Sequence, residues 1–489
     1  MKVLRVGCII GGLLSLALSL SAQTFTTLHS FDDTDGAFIL AGLIQATDGN
    51  FYGTAYEGGA NCAPDGCGTI FKITPSGTLT TLHSFCSQSN CTDGEYPEAG
   101  LIQATNGNFY GTTYEGGANC APDGCGTIFK ITPSGTLTTL YNFCSQSGCS
   151  DGYYPEAGLI QASNGDFYGT TTFGGAGGVG TVFKITPGGT VTTLHSFCSQ
   201  SNCTDGEYPE AGLIQATNGN FYGTTYAGGG ANSRGTVFKI TSSGTLTTLY
   251  SFCPQSGCPD GSDPQAGLAQ ATNGNFYGTT FAGGAHDLGT VFKILLSGNL
   301  TTVHSFCSVG YPDCADGDLP RFGALVQATN GDLYGTAPSG GAQIYYGTIF
   351  KITPGGSLTT LYSFCPQSGC PDGDDPRGTL VQDTNGNLYG TTFAGGANGF
   401  GTVFSLSVGL GPFVETQTTS GKVGAHVKIL GTNLTGATSV TFNGTTATFR
   451  VVSSSEITTT VPTGASTGKV KVVTPHGTLT SNVNFRVTP

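Results

Sequence analysis

The chain contains no tryptophan, and only 10% of its residues are charged. The first shortage counts against a dedicated carbohydrate platform, which relies on large flat rings. The second excludes a disordered polyelectrolyte. Basic residues are the scarcest: 17 lysines and arginines face 30 acidic residues, for a formal net charge of −13. That balance argues against nucleic acid, whose binding rests on cations at phosphates, and equally against anionic membrane surfaces. Past the first residues no segment is apolar for long enough to span a bilayer, and none repeats its apolar residues at helical spacing. Glycine is abundant, 80 of 489 residues, but without the Gly-x-y period of collagen. Such a chain suits many tight turns around a large core.

The one apolar run lies at the start. Lys2 and Arg5 precede Val6 to Leu20, and Ser19-Leu20-Ser21-Ala22 offers small residues for cleavage. This is the plan of an export signal over residues 1–22, with the mature chain expected to begin near Gln23. The run is short for a membrane span. Cys8 precedes most of it, the wrong order for a lipid-anchored leader. The expected location is secreted or at the cell surface, with no membrane span.

One unit recurs seven times. Aromatic-Tyr-Gly-Thr or its equivalent is centred on Tyr52, Tyr110, Tyr168, Tyr222, Tyr277, Tyr334 and Tyr389, at spacings of 58, 58, 54, 55, 57 and 55 residues. Gly-Thr-Ile/Val-Phe also occurs seven times, from Gly68–Phe71 to Gly401–Phe404. Thr-Thr-Leu/Val-x-x-Phe occurs seven times too, but out of phase. Its first copy, Thr26 to Phe31, precedes the first full unit, and the seventh unit lacks one. A ring closed by its own first strand needs that offset, so a period of this length reads as a propeller rather than a solenoid.

Each unit reads as four short strands bounded by Gly, Asn and Pro. In the second unit they cover 100–104, 108–114, 126–132 and 137–143, with Asn106-Gly107 as a tight hairpin whose two central residues both tolerate positive φ. The expected fold is all-β: a seven-bladed propeller of four-stranded blades. The fourth-to-first and second-to-third connections then emerge on one face of the ring, and the tight turns on the other.

Cysteine usage agrees with export. Once Cys8 leaves with the leader, 16 remain in eight close pairs. Seven pairs have four intervening residues: Cys62 with Cys67, Cys86 with Cys91, Cys120 with Cys125, Cys144 with Cys149, Cys198 with Cys203, Cys253 with Cys258, and Cys365 with Cys370. The eighth, Cys307 with Cys314, has six. They read as a disulfide framework with local pairing, each small loop contributing ~2 kcal/mol at most in the chain-entropy picture. Zinc is the rival reading, disfavoured because structural sites use closer Cys or His pairs; no metal is assigned. All eight pairs fall on the long-loop face, where binding usually resides.

The pattern Gly-Leu-Ile-Gln-Ala-x-Asn-Gly-Asn-Phe-Tyr-Gly-Thr-Thr, followed by Gly-Gly and Gly-Thr-Val-Phe-Lys-Ile-Thr, resembles the bacterial GloVer (Gloeo-Verruco) tandem repeat over about residues 25–407. The resemblance implies exported proteins of repeat architecture and no particular chemistry. From Gly411 the motifs stop. Val427-x-Ile429-x-Gly431-x-x-Leu434 and Val440-x-Phe442-x-Gly444-x-x-Ala447-x-Phe449-x-Val451 alternate as half-buried strands do. This part resembles the IPT/TIG domain, which implies an immunoglobulin-like sandwich serving as spacer or adhesive module. The expected organisation is leader 1–22, propeller 23–408 and sandwich 411–489.

A catalytic centre needs unlike groups in one place, whereas a repeat supplies like groups in seven, so positions where the copies differ are informative. After the loop proline the aligned residues are Leu40, Glu98, Glu156, Glu210, Gln265, Arg321 and Arg377. One arc is acidic and another basic. Directed at the channel mouth, Glu98, Glu156, Glu210, Arg321 and Arg377 would form a polarised funnel able to orient a charged or zwitterionic ligand; drift at solvated positions is the plainer alternative. Asp93-Gly94-Glu95, Asp205-Gly206-Glu207, Asp316-Gly317-Asp318 and Asp372-Gly373-Asp374-Asp375 place carboxylates two residues apart. Calcium favours such oxygens, but the full spacing of a loop motif is lacking, and Asp-Gly is a common turn. No cofactor is assigned, calcium being the one ion left open. His29, His83, His195 and His304 share a strand position with Tyr141, Tyr250 and Tyr362. That exchange speaks for a packing surface rather than metal ligation.

The reading is an exported binding or structural protein that recognises a glycan or a protein through its long-loop face, with no catalytic residue assigned. The alternative, by fold analogy, is a lyase or hydrolase acting on extracellular polysaccharide.

Overall fold

A computed structural model describes residues 23–488 apart from 63–65, 121, 123, 233, 309, 311–313 and 343. The leader, 1–22, lies outside the described residues. Seven four-stranded antiparallel sheets form a ring, and no α-helix occurs among the described residues.

Each blade starts with a two-residue inner strand and ends with a longer outer one. In the first blade these strands are Ile44–Gln45, Phe51–Ala55, Thr69–Ile73 and Leu79–Ser84. The second strand is buried along its whole length in every copy. This follows from its place between sheet neighbours and adjacent blades, which leaves no solvated face.

The blades pack through a repeated aromatic contact. Tyr52 stacks on Phe109 of the next blade, Tyr110 on Phe167, Tyr168 on Phe221 and Tyr222 on Phe276, with centroids 4.0–4.3 Å apart. Tyr389 completes the circle on Phe51 at 4.2 Å. Each outer strand also carries a bulge: Ile70 pairs with His83 while Phe71 pairs with Thr81, so Leu82 is skipped. The turn of the following blade seats on it, and a Cβ on Gly135 (φ 91°) would meet the Leu82 carbonyl at 2.7 Å. Only glycine satisfies both the left-handed backbone and that approach.

The displaced first strand closes the ring as its sequence implies. Thr24–Ser30 lies antiparallel to Thr402–Ser407, with Ser30 opposite Thr402 and Thr27 opposite Phe404. All eight disulfides are local, as the spacing implies. Cys62 joins Cys67, Cys86 joins Cys91, Cys120 joins Cys125 and Cys144 joins Cys149. Cys198 joins Cys203, Cys253 joins Cys258, Cys307 joins Cys314 across the longer loop, and Cys365 joins Cys370.

Two expectations change. The Asn-Gly hairpins are not two-residue loops: Gly107 is at φ 86°, but Asn106 is outside the left-handed region. Ala104 N–H donates to the Asn108 carbonyl and Gly107 N–H to that of Ala104, a type I turn with a glycine bulge. The Asn106 side chain explains the choice, since its Oδ1 accepts the Asn108 N–H at 3.0 Å and its Nδ2 donates to Tyr110 Oη at 2.9 Å. In the C-terminal part, the strands from Val414 to Thr488 form one curled nine-stranded sheet instead of two separate ones. The long strand Gly477–Thr488 pairs with Gly468–Thr474 and also, through Val414 and Ser481, with Val414–Thr416. The sheet curls round Val427, Ile429, Val440, Phe442, Val470, Val472 and Phe485.

This C-terminal sheet sits on the tight-turn face. Gln417 Nε2 donates to the Ala104 carbonyl at 2.9 Å, Ser455 Oγ to that of Thr47 at 2.9 Å and Asn482 Nδ2 to that of Gln327 at 2.8 Å. The face formed by the tight turns is therefore occupied by the chain itself.

Candidate functional site

The long-loop end of the channel opens into a cavity of about 830 Å³. The connections leading from each outer strand to the next inner strand build its rim. All but the first contain a disulfide-closed turn. Each then bends at a residue with positive φ: Phe38, Tyr96, Tyr154, Tyr208, Asp263, Leu319 and Asp375, at 49–57°. These side chains are strained in that region. Cross-blade hydrogen bonds hold the bend, as from Tyr96 N–H to the Cys67 carbonyl, and in every copy but the one that bends at Leu319 the residue that follows the bend by two lines the cavity.

An Asp-centred clamp anchors each connection. Asp93, fully buried, accepts from His83 Nε2 at 3.0 Å, Ser87 N–H at 3.0 Å, Ser87 Oγ at 2.7 Å and Gln88 N–H at 3.2 Å. The contact recurs in all seven copies, from histidine at Asp35, Asp205 and Asp316 and from tyrosine at Asp151, Asp260 and Asp372. Both side chains present a polar atom at the same reach, and that shared role explains their exchange better than a packing surface alone. The Asp93 and Asp205 carboxylates are buried and directed onto protein donors.

Four of the five sequence-selected residues line the cavity: Glu98, Glu156, Glu210 and Arg377. Aromatic rings of Tyr56, Tyr114, Phe322 and Phe393 share the wall. Burial, with Glu115 and Glu210 nearby, pushes the Glu98 carboxyl up to about 7. Burial, with Glu98 and Glu210, pushes Glu156 up to about 9. Glu210 is raised by burial as well, and Gln265 Nε2 donates to its Oε2 at 2.8 Å. Three carboxyls sharing a recessed wall resist ionising together.

The basic arc differs from its sequence appearance. Arg377 donates from Nε and Nη2 to Asp375 at 3.0 and 2.6 Å and lies 3.7 Å over the Phe393 ring, so its charge is already paired. Arg321 is not a lining residue. The sixth blade has one more residue between its proline and inner strand, Pro320-Arg321-Phe322-Gly323-Ala324-Leu325 against Pro97-Glu98-Ala99-Gly100-Leu101. Phe322 takes the wall position, and Arg321 packs against the Phe281 and Phe322 rings at 5.3 and 5.1 Å. The insertion also breaks a ring of hydrogen bonds. Thr54, Thr112, Thr170 and Thr224 donate to the carbonyls of Ala99, Ala157, Ala211 and Ala266, whereas the buried hydroxyl of Thr279 finds no partner. The funnel is thus acidic and aromatic rather than bipolar. Counting the extra residue was the available signal.

At the other end, a cavity of about 330 Å³ lies between the propeller and the C-terminal sheet, lined by Gln45, Gln103, Gln327, Gln382, Glu415 and Asn482 among others. Glu415 lines this chamber with its side chain accessible within it, and desolvation by the protein around the chamber raises its carboxyl above the ordinary range.

The repeat itself places the molecule. Its sequence matches the Gloeobacter/Verrucomicrobia repeat at residues 11–162, 124–321 and 311–467. The chain belongs to the Gloeobacter/Verrucomicrobia repeat family. Among solved structures, this repeat protein is similar to a fungal alcohol oxidase of the AA5 family in complex with copper, at 14% identity and a TM-score of 0.51, over 95% of this chain and 99% of that one. It is similar also to a protein of unknown function from Dyadobacter fermentans, at 10% identity and a TM-score of 0.40, over 78% and 96%. The likeness to the oxidase speaks for the fold alone. No curated protein matches. Among the described residues, the cavity wall carries neither histidine nor cysteine, the nitrogen and sulfur donors that suit copper.

Proposed function

We propose that this is an exported binding protein of the cell surface or extracellular space that takes a hydroxyl-rich ligand, a glycan, into the long-loop mouth of its propeller. The observation that carries the reading is the cavity wall, where Glu98, Glu156 and Glu210 share the lining with Tyr56 and Tyr114. Carboxyls serve as bidentate partners for vicinal hydroxyls, and tyrosine rings offer apolar faces to sugar C–H groups. Export is supported by the leader-like residues 1–22, by eight disulfides and by the lack, among the described residues, of a helix long and apolar enough to cross a membrane. The C-terminal part, with its IPT/TIG-like sequence, acts in this reading as a plug for the far end of the channel rather than as a free spacer.

A glycan array probed with the mature protein, followed by calorimetry on the best hit, tests the proposal. Glu156→Gln and Tyr114→Ala should each weaken binding about tenfold or more, as loss of a buried contact does, while Arg321→Ala, off the wall, should leave it unchanged. Equal binding by the wild type and all three variants places the ligand elsewhere. The second reading, an enzyme on extracellular polysaccharide, is favoured by one observation: two carboxyls of one cavity are pushed to different values, about 7 and about 9, as acid and base pairs are. Release of reducing ends or unsaturated products from a bound glycan would decide for it.

A further inference from the structure

Two places on the long-loop face gather four sulfurs each. In the first blade, the second-to-third-strand loop carries Cys62 and Cys67, and the connection to the next blade carries Cys86 and Cys91. Their Sγ atoms all lie within 4.8 Å of one another, with a Glu95 carboxylate oxygen in the same group. The following blade repeats the arrangement with Cys120, Cys125, Cys144 and Cys149. The remaining pairs cannot do this. The loops 173–179, 227–234, 282–288 and 338–346 precede the pairs that begin at Cys198, Cys253, Cys307 and Cys365, and they contain no cysteine. Cys198 with Cys203 gathers only Glu207.

Four cysteine sulfurs drawn two and two from separate loops are the donor set of a closed tetrahedral zinc site; the four intervening residues that count against a zinc site for one pair alone stand at the upper end of the ligand spacing such sites use, and the convergence of two pairs completes the set. One cysteine of each cluster, Cys67 or Cys125, is buried, while the other three are half-buried or exposed, so an ion has access. We propose that each cluster is a convertible site: two disulfides when oxidised, and a tetrathiolate site for a soft divalent cation, zinc, when reduced. At each site two molecules of a dithiol reductant supply four electrons and four protons, both S–S bonds break, and the reductant leaves as two disulfides. The four thiols lose their protons as the ion binds, leaving an anionic tetrathiolate site. The two sites are not equivalent. Cys67 Sγ lies 3.3 Å from Glu95 Oε2, which adds an oxygen donor beside the first cluster, whereas Tyr153 holds that position in the second blade.

Cobalt is the probe. The full chain is reduced with excess dithiothreitol, freed of reductant without oxygen, and titrated with Co²⁺. Sulfur-to-cobalt charge transfer and tetrahedral d–d absorption should appear, saturate at two ions per chain and vanish when zinc is added; the oxidised chain should show neither. Cys62→Ser with Cys86→Ser should leave one ion, and Cys253→Ser with Cys258→Ser should leave two. Fewer than two ions on the reduced chain, or an unchanged count when Cys62 and Cys86 are both replaced, would overturn the proposal. Chain produced in a reducing cytosol and kept reduced avoids dependence on refolding: native mass spectrometry should count two zinc ions, and zinc-free thiols, folded or not, would refute it.

Discussion

Thr391 Oγ1 donates to the carbonyl of Ala41 at 2.9 Å, across 350 residues of sequence. It is the bond that Thr54 makes to Ala99 in the next blade, reused where the chain's two ends meet. Closure is therefore held at three levels: this hydrogen bond near the channel, the Tyr389–Phe51 stack in the middle, and the Thr24–Ser30 strand outside.

Removing residues 23–31 should lower the melting temperature steeply. Phe31 is fully buried and half-buried Phe25 stacks 4.0 Å from Tyr362; burial is worth about 1.5–3 kcal/mol for Phe31 and less for Phe25, and an open sheet edge is left behind. Thr391→Val should cost only ~1 kcal/mol, one hydrogen bond. Differential scanning calorimetry separates the two, and equal melting temperatures for the wild type and the deletion would mean that the first strand does not close the ring.

The cavity carboxyls should make stability depend on pH in an unusual direction. Glu98 and Glu156 hold protons up to about 7 and about 9, above an unfolded carboxyl near about 4.3. Their contribution is therefore fully present below about pH 4 and is lost as pH rises through the folded values. Glu98→Gln with Glu156→Gln should raise stability at about pH 9 by about 1–2 kcal/mol, less than the full shifts imply because water in the cavity screens the charges, and should change little at about pH 4. Asp93, Asp205 and Asp316 act oppositely. Burial raises them, but hydrogen bonds from histidine, serine and backbone more than offset it and hold them below the ordinary range, so their contribution disappears in acid. Denaturant melts from acid to about pH 9 check both limbs; a double variant no more stable than wild type at the alkaline end would contradict the first.

The clamp at each Cys connection should accept either of its two natural donors. His83→Tyr should change stability by less than about 0.5 kcal/mol, because Tyr141 reaches Asp151 in the same way at 2.7 Å. His83→Ala removes a donor from a buried carboxylate and should cost about 1–3 kcal/mol. Hydrogen exchange at residues 86–96 should rise in the alanine variant alone; a tyrosine variant as damaged as the alanine one would show that ring shape, not the hydrogen bond, is what matters.

Much of this architecture is written along the chain, because it depends on local patterns repeated in phase. Aromatic-Tyr-Gly-Thr marks the buried second strand wherever it occurs, and the displaced Thr26–Phe31 motif tells which strand closes the ring. Cysteines such as Cys365 and Cys370 pair within their own loop, since no other partner is tethered so near. Even the wider spacing of Cys307 and Cys314 does not change that. Other features arise where segments distant in sequence meet, and no periodicity reports them. One added residue before Gly323 exchanges Arg321 for Phe322 at the channel wall, a register effect that alignment on the proline hides. Asp375 neutralises Arg377 only because a strained bend folds its carboxylate back onto the guanidinium. Cys62 and Cys86 belong to separate loops whose approach is set by the blade between them, and the C-terminal sheet meets the tight turns through side chains, Gln417, Ser455 and Asn482, that carry no motif at all. Local hydrogen bonding and alternation determine a blade from its own residues; what faces the channel and what plugs it is decided by tertiary packing alone.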